Sequence, residues 1–239
     1  EARKLYLSVP PEKVIESGKS KGKKITVPFY WRAQASAETM VFELWNRARG
    51  TDQEEERFKA LEVALERLAE IRDQAVEAKD LDGAATAAIT IGQTHYLRQE
   101  WEQAADAFSI FAGALAELEE YQCSGVGYLA LCLARKGDCA AAKKHLRAIS
   151  KQCGDEAVIA FASLDASDCF HAAGDSVNSA LFAYHYARHP AARDSLSDIT
   201  TLLVVSSRLA AGGTETTSKK AARAFQGGAA KFLSLAKKH

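Results

Sequence analysis

Few side chains in this sequence stand at spacings that could do chemistry. His185 and His189 are four residues apart, which puts two imidazoles on one helical face where they could share a divalent ion if a carboxylate or thiolate converged on them. The sequence shows no such third ligand, and Pro190 follows His189 directly at a helix end, so no metal is expected. Cys169 and His171 come nearest to a nucleophile and its base, but residues two apart on a helix point to different faces. The carboxylates Glu54-Glu55-Glu56, Glu117, Glu119 and Glu120 read as solvated helix faces. Gly125-Val126-Gly127 is too short and too helical in context to cradle a phosphate, and no Walker A, Rossmann Gly-rich, GxSxG or HExxH string occurs. These absences point away from an enzyme, and neither catalytic residues nor a cofactor are expected. The cysteines at 123, 132, 139, 153 and 169 are odd in number, lack CxxC spacing and sit in Ala-rich helical stretches. They are expected to be small buried thiols in a reducing, cytoplasmic compartment.

The surrounding chain has 239 residues, 47% hydrophobic and 26% charged, an ordinary composition for a globular protein. Its longest apolar runs, such as Ile199 to Val205, fall well short of the ~18 residues a membrane-spanning helix needs. The opening Glu1-Ala2-Arg3-Lys4 leads to Pro10-Pro11 and a lysine cluster, which is not the pattern of a signal peptide. The absence of an initiator Met points to a fragment or a processed chain. Neutral overall, the sequence is nonetheless polarised: residues 1–50 carry ten basic and five acidic side chains, residues 51–120 six and seventeen, and residues 212–239 six and one. Such ends can fold back on the acidic middle, pair with a second copy or reach an acidic partner. The densest basic patch, Lys19, Lys21, Lys23 and Lys24, has no interleaved aromatics and reads first as a solvated loop.

Residues 1–35 hold three of the four prolines and a β-like stretch, Ile25-Thr26-Val27-Pro28-Phe29-Tyr30-Trp31, and are expected to form an extended arm with an aromatic anchor. From Ser36 the pattern turns helical. Met40, Val41, Leu44 and Trp45 mark one face, Arg49-Gly50 a stop, and Thr51-x-x-Glu54 a capping box ahead of Phe58, Leu61, Leu65 and Leu68. Beyond residue 80, Ala-rich helical stretches alternate with turns at Gln99-Glu100, Gly137-Asp138, Gly174-Asp175 and Gly212-Gly213. That near-constant period in the high thirties is the mark of stacked helical hairpins. A cap at Ser195-x-x-Asp198 and a final basic helix from Thr214 to His239 complete the pattern.

Over roughly residues 82–239 the sequence resembles the tetratricopeptide-repeat (TPR) family. The best unit offers Ala88, Ile91, Gly92 and His95 in its first helix and Ala104 and Phe108 in its second. Gly92 and Ala104 are small where helices must approach closely, and Phe108 is large where the hairpin needs a plug. Val126, Leu129, Ala130, Leu133, Ala142 and Leu146 follow in the second unit; the third has Ser163, Ala166, Ser167, Phe170, Ser179 and Ala183, closed by Pro190. The resemblance implies an all-α, right-handed superhelix built of units at about 82–120, 121–158, 159–194 and 195–239, within a repeat domain of residues 36–239 that follows the arm. It also implies a concave groove that holds a segment of another protein. Its lining would be Ile89, Gln93, Tyr96 and Leu97, then Tyr128, Leu131 and Arg135, then Leu164, Asp168 and His171. TPR domains that grip chaperone tails use a Lys/Asn/Lys/Arg clamp, and the matching positions here are Ile, Gln, Gly and Leu, so that ligand is not expected.

The expected function is therefore that of a non-enzymatic adaptor or scaffold subunit. It would bind a protein partner through the groove residues Gln93, Tyr96, Tyr128, Arg135, Asp168 and His171 and through the arm residues Phe29, Tyr30 and Trp31. A second resemblance, to the helical-hairpin attachment proteins of the membrane-fusion machinery, rests on the run from Cys169-Phe170-His171 to Arg193-Asp194-Ser195 and implies a trafficking adaptor. A third reading has the basic ends contact nucleic acid or an anionic surface. The acidic middle argues against it, and such binding would weaken steeply with salt.

Overall fold

The computed structural model describes residues 1–14, 22–27, 29–150, 152–153, 156–192, 201, 204–209 and 211, and these are mostly helical, as expected. The helices are Ala2–Leu7 (α1), Tyr30–Ala48 (α2), Glu54–Glu77 (α3), Leu81–Leu97 (α4), Trp101–Ser109 (α5), Glu119–Lys136 (α6), Cys139–Ile149 (α7), Ala157–Ala172 (α8) and Ser176–Arg188 (α9). Strands Glu12–Val14 (β1) and Lys24–Thr26 (β2) form a small antiparallel pair, with Glu12 opposite Thr26 and Val14 opposite Lys24. The chain divides into two compact units, Glu1–Leu118 and Glu119–His239.

One local device joins the helices. The chain leaves α3, α4, α6 and α8 through a left-handed residue: Lys79 (φ 59°), Gln99 (φ 61°), Gly137 (φ 94°) and Gly174 (φ 76°). The next residue, Asp80, Glu100, Asp138 or Asp175, sends its N–H back to the carbonyl five positions earlier, at 2.8–2.9 Å, and opens the following helix. The three aspartates then cap that helix by accepting from the N–H groups of Gly83, Ala141 and Asn178 at 3.0–3.1 Å. Glu100 is one methylene longer and instead takes His95 Nδ1 and Arg98 Nε, each at 2.7 Å. Burial disfavours its charge, but the combined hydrogen bonds and charges of His95 and Arg98 prevail and hold the Glu100 carboxyl below its ordinary value. Three of these turns are the ones the sequence marks. The turn expected at Gly212-Gly213, the cap at Ser195 and the helix from Thr214 lie outside the described residues.

In the first unit, α2, α3 and α4 pack on one another and α5 returns along α4. The buried stripe of α2 is Ala35, Glu38, Phe42 and Trp45, which corrects the face expected from Met40, Val41, Leu44 and Trp45: Leu44 is 49% exposed. At the α4–α5 crossing, a Cβ added to Gly92 would lie 2.5–2.8 Å from the Phe108 ring, so the small residue and the large one are matched. The box at Thr51 is also rearranged. The Thr51 hydroxyl donates to Ala48 O at 2.6 Å, Glu54 accepts from Gly50 N–H at 2.7 Å, and α3 starts at Glu54.

Residues 1–35 are not an extended arm along their described length. Arg3 of α1 donates to both oxygens of Glu38 (3.0 and 2.8 Å), which also accepts from Arg67 at 3.3 Å, and these bonds tie α1 to α2 and α3. Tyr30 and Trp31 belong to the first turn of α2, whose free Trp31 and Arg32 N–H groups are taken by Asp80 Oδ2 at 3.1 and 3.4 Å. Asp80 Oδ1 meanwhile caps α4 at Gly83 N, so a single carboxylate serves the starts of two helices, at Tyr30 and at Leu81.

In the second unit, α6 packs on α7 and α8, and α8 on α9. Helices α6 and α8 run parallel, since contacts between them recur at an offset of 30 or 31 residues. A Cβ at Gly127 would meet Val158 at 2.6 Å, Arg135 pairs with Asp165, and disulfides join Cys123 to Cys153 and Cys139 to Cys169. These disulfides overturn the expectation of five free thiols, and the paired cysteines weigh against, without deciding, the reducing compartment inferred with it. The physical reason is the hairpin itself. Cys123 near the start of α6 and Cys153 just beyond α7 lie at adjacent helix ends, and so do Cys139 at the start of α7 and Cys169 late in α8. Cys132 is the free cysteine, and burial together with the Asp165 carboxylate pushes its thiol up to about 12. Among the described residues no helix is long and apolar enough to cross a membrane.

Candidate functional site

Seven residues are close to two helical turns, so Tyr128 and Arg135 share one face of α6, and Phe161 and Asp168 share one face of the adjoining α8. Tyr128 is half-buried, Arg135 and Asp168 are exposed, and Phe161 is 42% exposed, large for a helix packed on both neighbours. Two ion pairs lace this face. Arg135 Nη2 meets Asp165 Oδ1 at 2.7 Å, and Arg208 Nη2 donates to Asp168 Oδ1 at 3.4 Å. At its carboxyl end the face opens into a hollow of about 380 Å³ lined by Arg135, Asp165, Asp168, small residues from Ala134 to Ala173 and the Cys139–Cys169 disulfide.

Asp165 is the strained member of this set. Its side chain is only 9% exposed, and burial raises its carboxyl above the ordinary value, with the nearby Asp168 charge adding to the rise and the Arg135 guanidinium opposing it. A carboxyl whose folded value is raised stays protonated in the native state at a pH where the unfolded chain has released the proton. The second unit therefore loses stability as pH rises from the ordinary carboxylate value of about 3.9 through the folded value. Asp165→Asn should remove this dependence. In urea titrations at stepped pH, the variant should gain on the wild-type chain as pH rises through that window, and a constant difference would contradict the assignment.

The structure thus brings four of the expected groove residues, Tyr128, Arg135, Asp168 and His171, onto the adjoining helices α6 and α8, with His171 exposed one turn beyond Asp168. Gln93 and Tyr96 lie half-buried on α4 in the first unit, where the Tyr96 ring packs edge-on against Trp101 with centroids 5.6 Å apart. At the α2 start, Phe29 is left-handed (φ 66°) and 61% exposed, while Tyr30 and Trp31 are half-buried against each other in a T-shaped contact at 4.7 Å. Phe29 and Trp31 join Val27, Asp80 and Leu118 around a hollow of about 470 Å³. Of the basic patch, Lys23 and Lys24 are exposed, with Lys24 Nζ 3.0 Å from Glu12 Oε2 across the strand pair, and Lys19 and Lys21 lie outside the described residues.

Sequence reasoning missed Phe161, Asp165 and Arg208. The first two carried a usable signal: Arg135 and Asp165 repeat the 30-residue spacing of both cysteine pairs, and Phe161 stands one such step beyond Leu131. His185 and His189 line one hollow of about 370 Å³ with Arg147, Ser163 and Phe182, and His189 Nδ1 accepts from Ala191 N–H at 3.1 Å. Among the described residues no three His, Cys, Asp or Glu side chains are grouped to hold an ion. Comparison with known proteins finds no matching family model, no similar curated protein and no similar solved structure.

Proposed function

We propose that this chain is a non-enzymatic adaptor of TPR-like helical hairpins that binds a segment of a protein partner along the α6/α8 face. One observation carries the reading. The same left-handed turn joins α3 to α4, α4 to α5, α6 to α7 and α8 to α9, with an aspartate cap in three of the four, and in the second unit this repetition sets two first helices side by side with aromatic and charged residues outward. Tyr128 and Phe161 supply rigid apolar contact area at one end of the face, and Asp168 and His171 supply polar contacts at the other. The TPR resemblance implies a concave groove on these helices, and the matched Gly92 and Phe108 support a hairpin of that kind in the first unit.

The exposed residues are the ones to change. Arg135→Ala would strand the buried Asp165 carboxylate and disturb folding, so it confounds binding with stability. Phe161→Ala combined with His171→Ala leaves the buried ion pair untouched. In affinity purification from the native source, a stoichiometric protein should be recovered with the intact chain. Its recovery should fall about ten-fold or more with the double variant, the loss of ~1.4 kcal/mol or more that one or two interface anchors produce. Recovery of the same protein at wild-type level would remove the α6/α8 face as its binding site.

A further inference from the structure

We infer that the Cys139–Cys169 disulfide is a thiol–disulfide exchange site, opened by a small dithiol under conditions that leave Cys123–Cys153 closed. Both bonds span 30 residues, so the chain entropy that each removes from the unfolded state is the same, and loop length does not decide which opens first. Access and local charge decide it.

Cys139–Cys169 forms part of the wall of the 380 Å³ hollow, whose other lining is small side chains and charged groups, and Cys139 is its more exposed half. Two carboxylates face that hollow and would repel an incoming thiolate, but each is matched by an arginine: Asp165 by Arg135 and Asp168 by Arg208. Cys139 is also the first residue of α7, where unpaired backbone N–H groups favour a thiolate. Asp138, the cap of that helix, opposes this, although its Oδ1 is engaged by Ala141 N–H at 3.0 Å. The other bond is placed differently, although its Cys123 is half-buried as Cys139 is. Cys153 is 2% exposed, and its N–H bonds Ile149 O beyond the carbonyl end of α7, which disfavours a thiolate; Cys123 lies one turn from Glu119 and Glu120.

The exchange is balanced by the dithiol alone. Its thiolate attacks Cys139 Sγ and forms a mixed disulfide, while Cys169 Sγ departs with the bond's electron pair and takes up a proton. The second thiol of the reagent then attacks its own bound sulfur and expels Cys139 as a thiolate at the start of α7. The protein disulfide is reduced to two thiols, and the dithiol is oxidised to its cyclic disulfide.

The test uses the intact wild-type chain in graded dithiothreitol, with alkylation of free thiols, mass mapping of the modified cysteines and far-UV circular dichroism on the same samples. Cys139 and Cys169 should be alkylated at a reductant concentration about ten-fold or more below that needed for Cys123 and Cys153, with helical signal retained. Equal midpoints, opening of Cys123–Cys153 first, or reduction of either bond only as the helical signal is lost would each overturn the inference. Brief treatment with a monothiol, 2-mercaptoethanol, should leave the trapped adduct on Cys139, and an adduct on Cys169 would overturn the proposed order of attack.

Discussion

Replacing Cys123 and Cys153 together by alanine should cost the second unit about 3 to 4 kcal/mol of unfolding free energy, the chain-entropy value for a 30-residue loop. That is a large share of the 5 to 15 kcal/mol that holds an ordinary domain together. The bond closes the open end of the α6–α7 hairpin, opposite the Gly137-Asp138 turn, so its loss leaves that end held by side-chain packing alone. Urea unfolding followed by hydrogen exchange at the α6 and α7 amides measures the effect. A change below about 1 kcal/mol would mean that the reduced hairpin is already as constrained when unfolded as the oxidised one.

Phe108→Ala should be of similar size in the first unit, about 3 to 5 kcal/mol. The ring is fully buried and sits against the bare backbone of Gly92, where no side chain can move in to fill the space it leaves. Gly92→Ala acts in the opposite sense, by pressing a methyl group into the ring, and should cost about 1 to 3 kcal/mol. Combined with Phe108→Leu, whose smaller side chain makes room, the Gly92→Ala change should cost less than the sum of the two single changes in a denaturation cycle. Strict additivity would show that the two positions do not share one contact.

The turns were legible in the sequence wherever their chemistry was conventional. Gly137-Asp138 and Gly174-Asp175 pair the residue that tolerates a left-handed backbone with one that caps a helix. Lys79-Asp80 has the same geometry and went unread, because lysine carries no turn signal and its left-handed backbone is imposed by the helices on either side. The start of α2 was hidden for a different reason: its cap comes from Asp80, beyond the reach of any local pattern, while Ile25 to Trp31 is rich in residues that favour strands. Helical, Ala-rich surroundings and an odd count concealed the disulfides, since pairing is set by which helix ends meet. Of the candidate site, Tyr128, Arg135, Asp168 and His171 followed from a periodic pattern and a family resemblance. Asp165 stayed hidden because a carboxylate on a helix looks solvated until its neighbour is known.

The two disulfides overlap, since Cys139 lies inside the loop closed by Cys123 and Cys153. A chain pulled from its ends transmits tension from Cys123 to Cys169 by the shortest covalent route, either along the backbone to Cys139 and across its bond, or across to Cys153 and on along the backbone. Either way, 30 residues of contour, about 100 Å when fully extended, stay slack while both bonds are closed. Opening either bond alone releases no contour, because the other route still carries the load, but opening both lets the whole segment lengthen, so the oxidised unit behaves under load as a shorter and stiffer link than its number of residues implies.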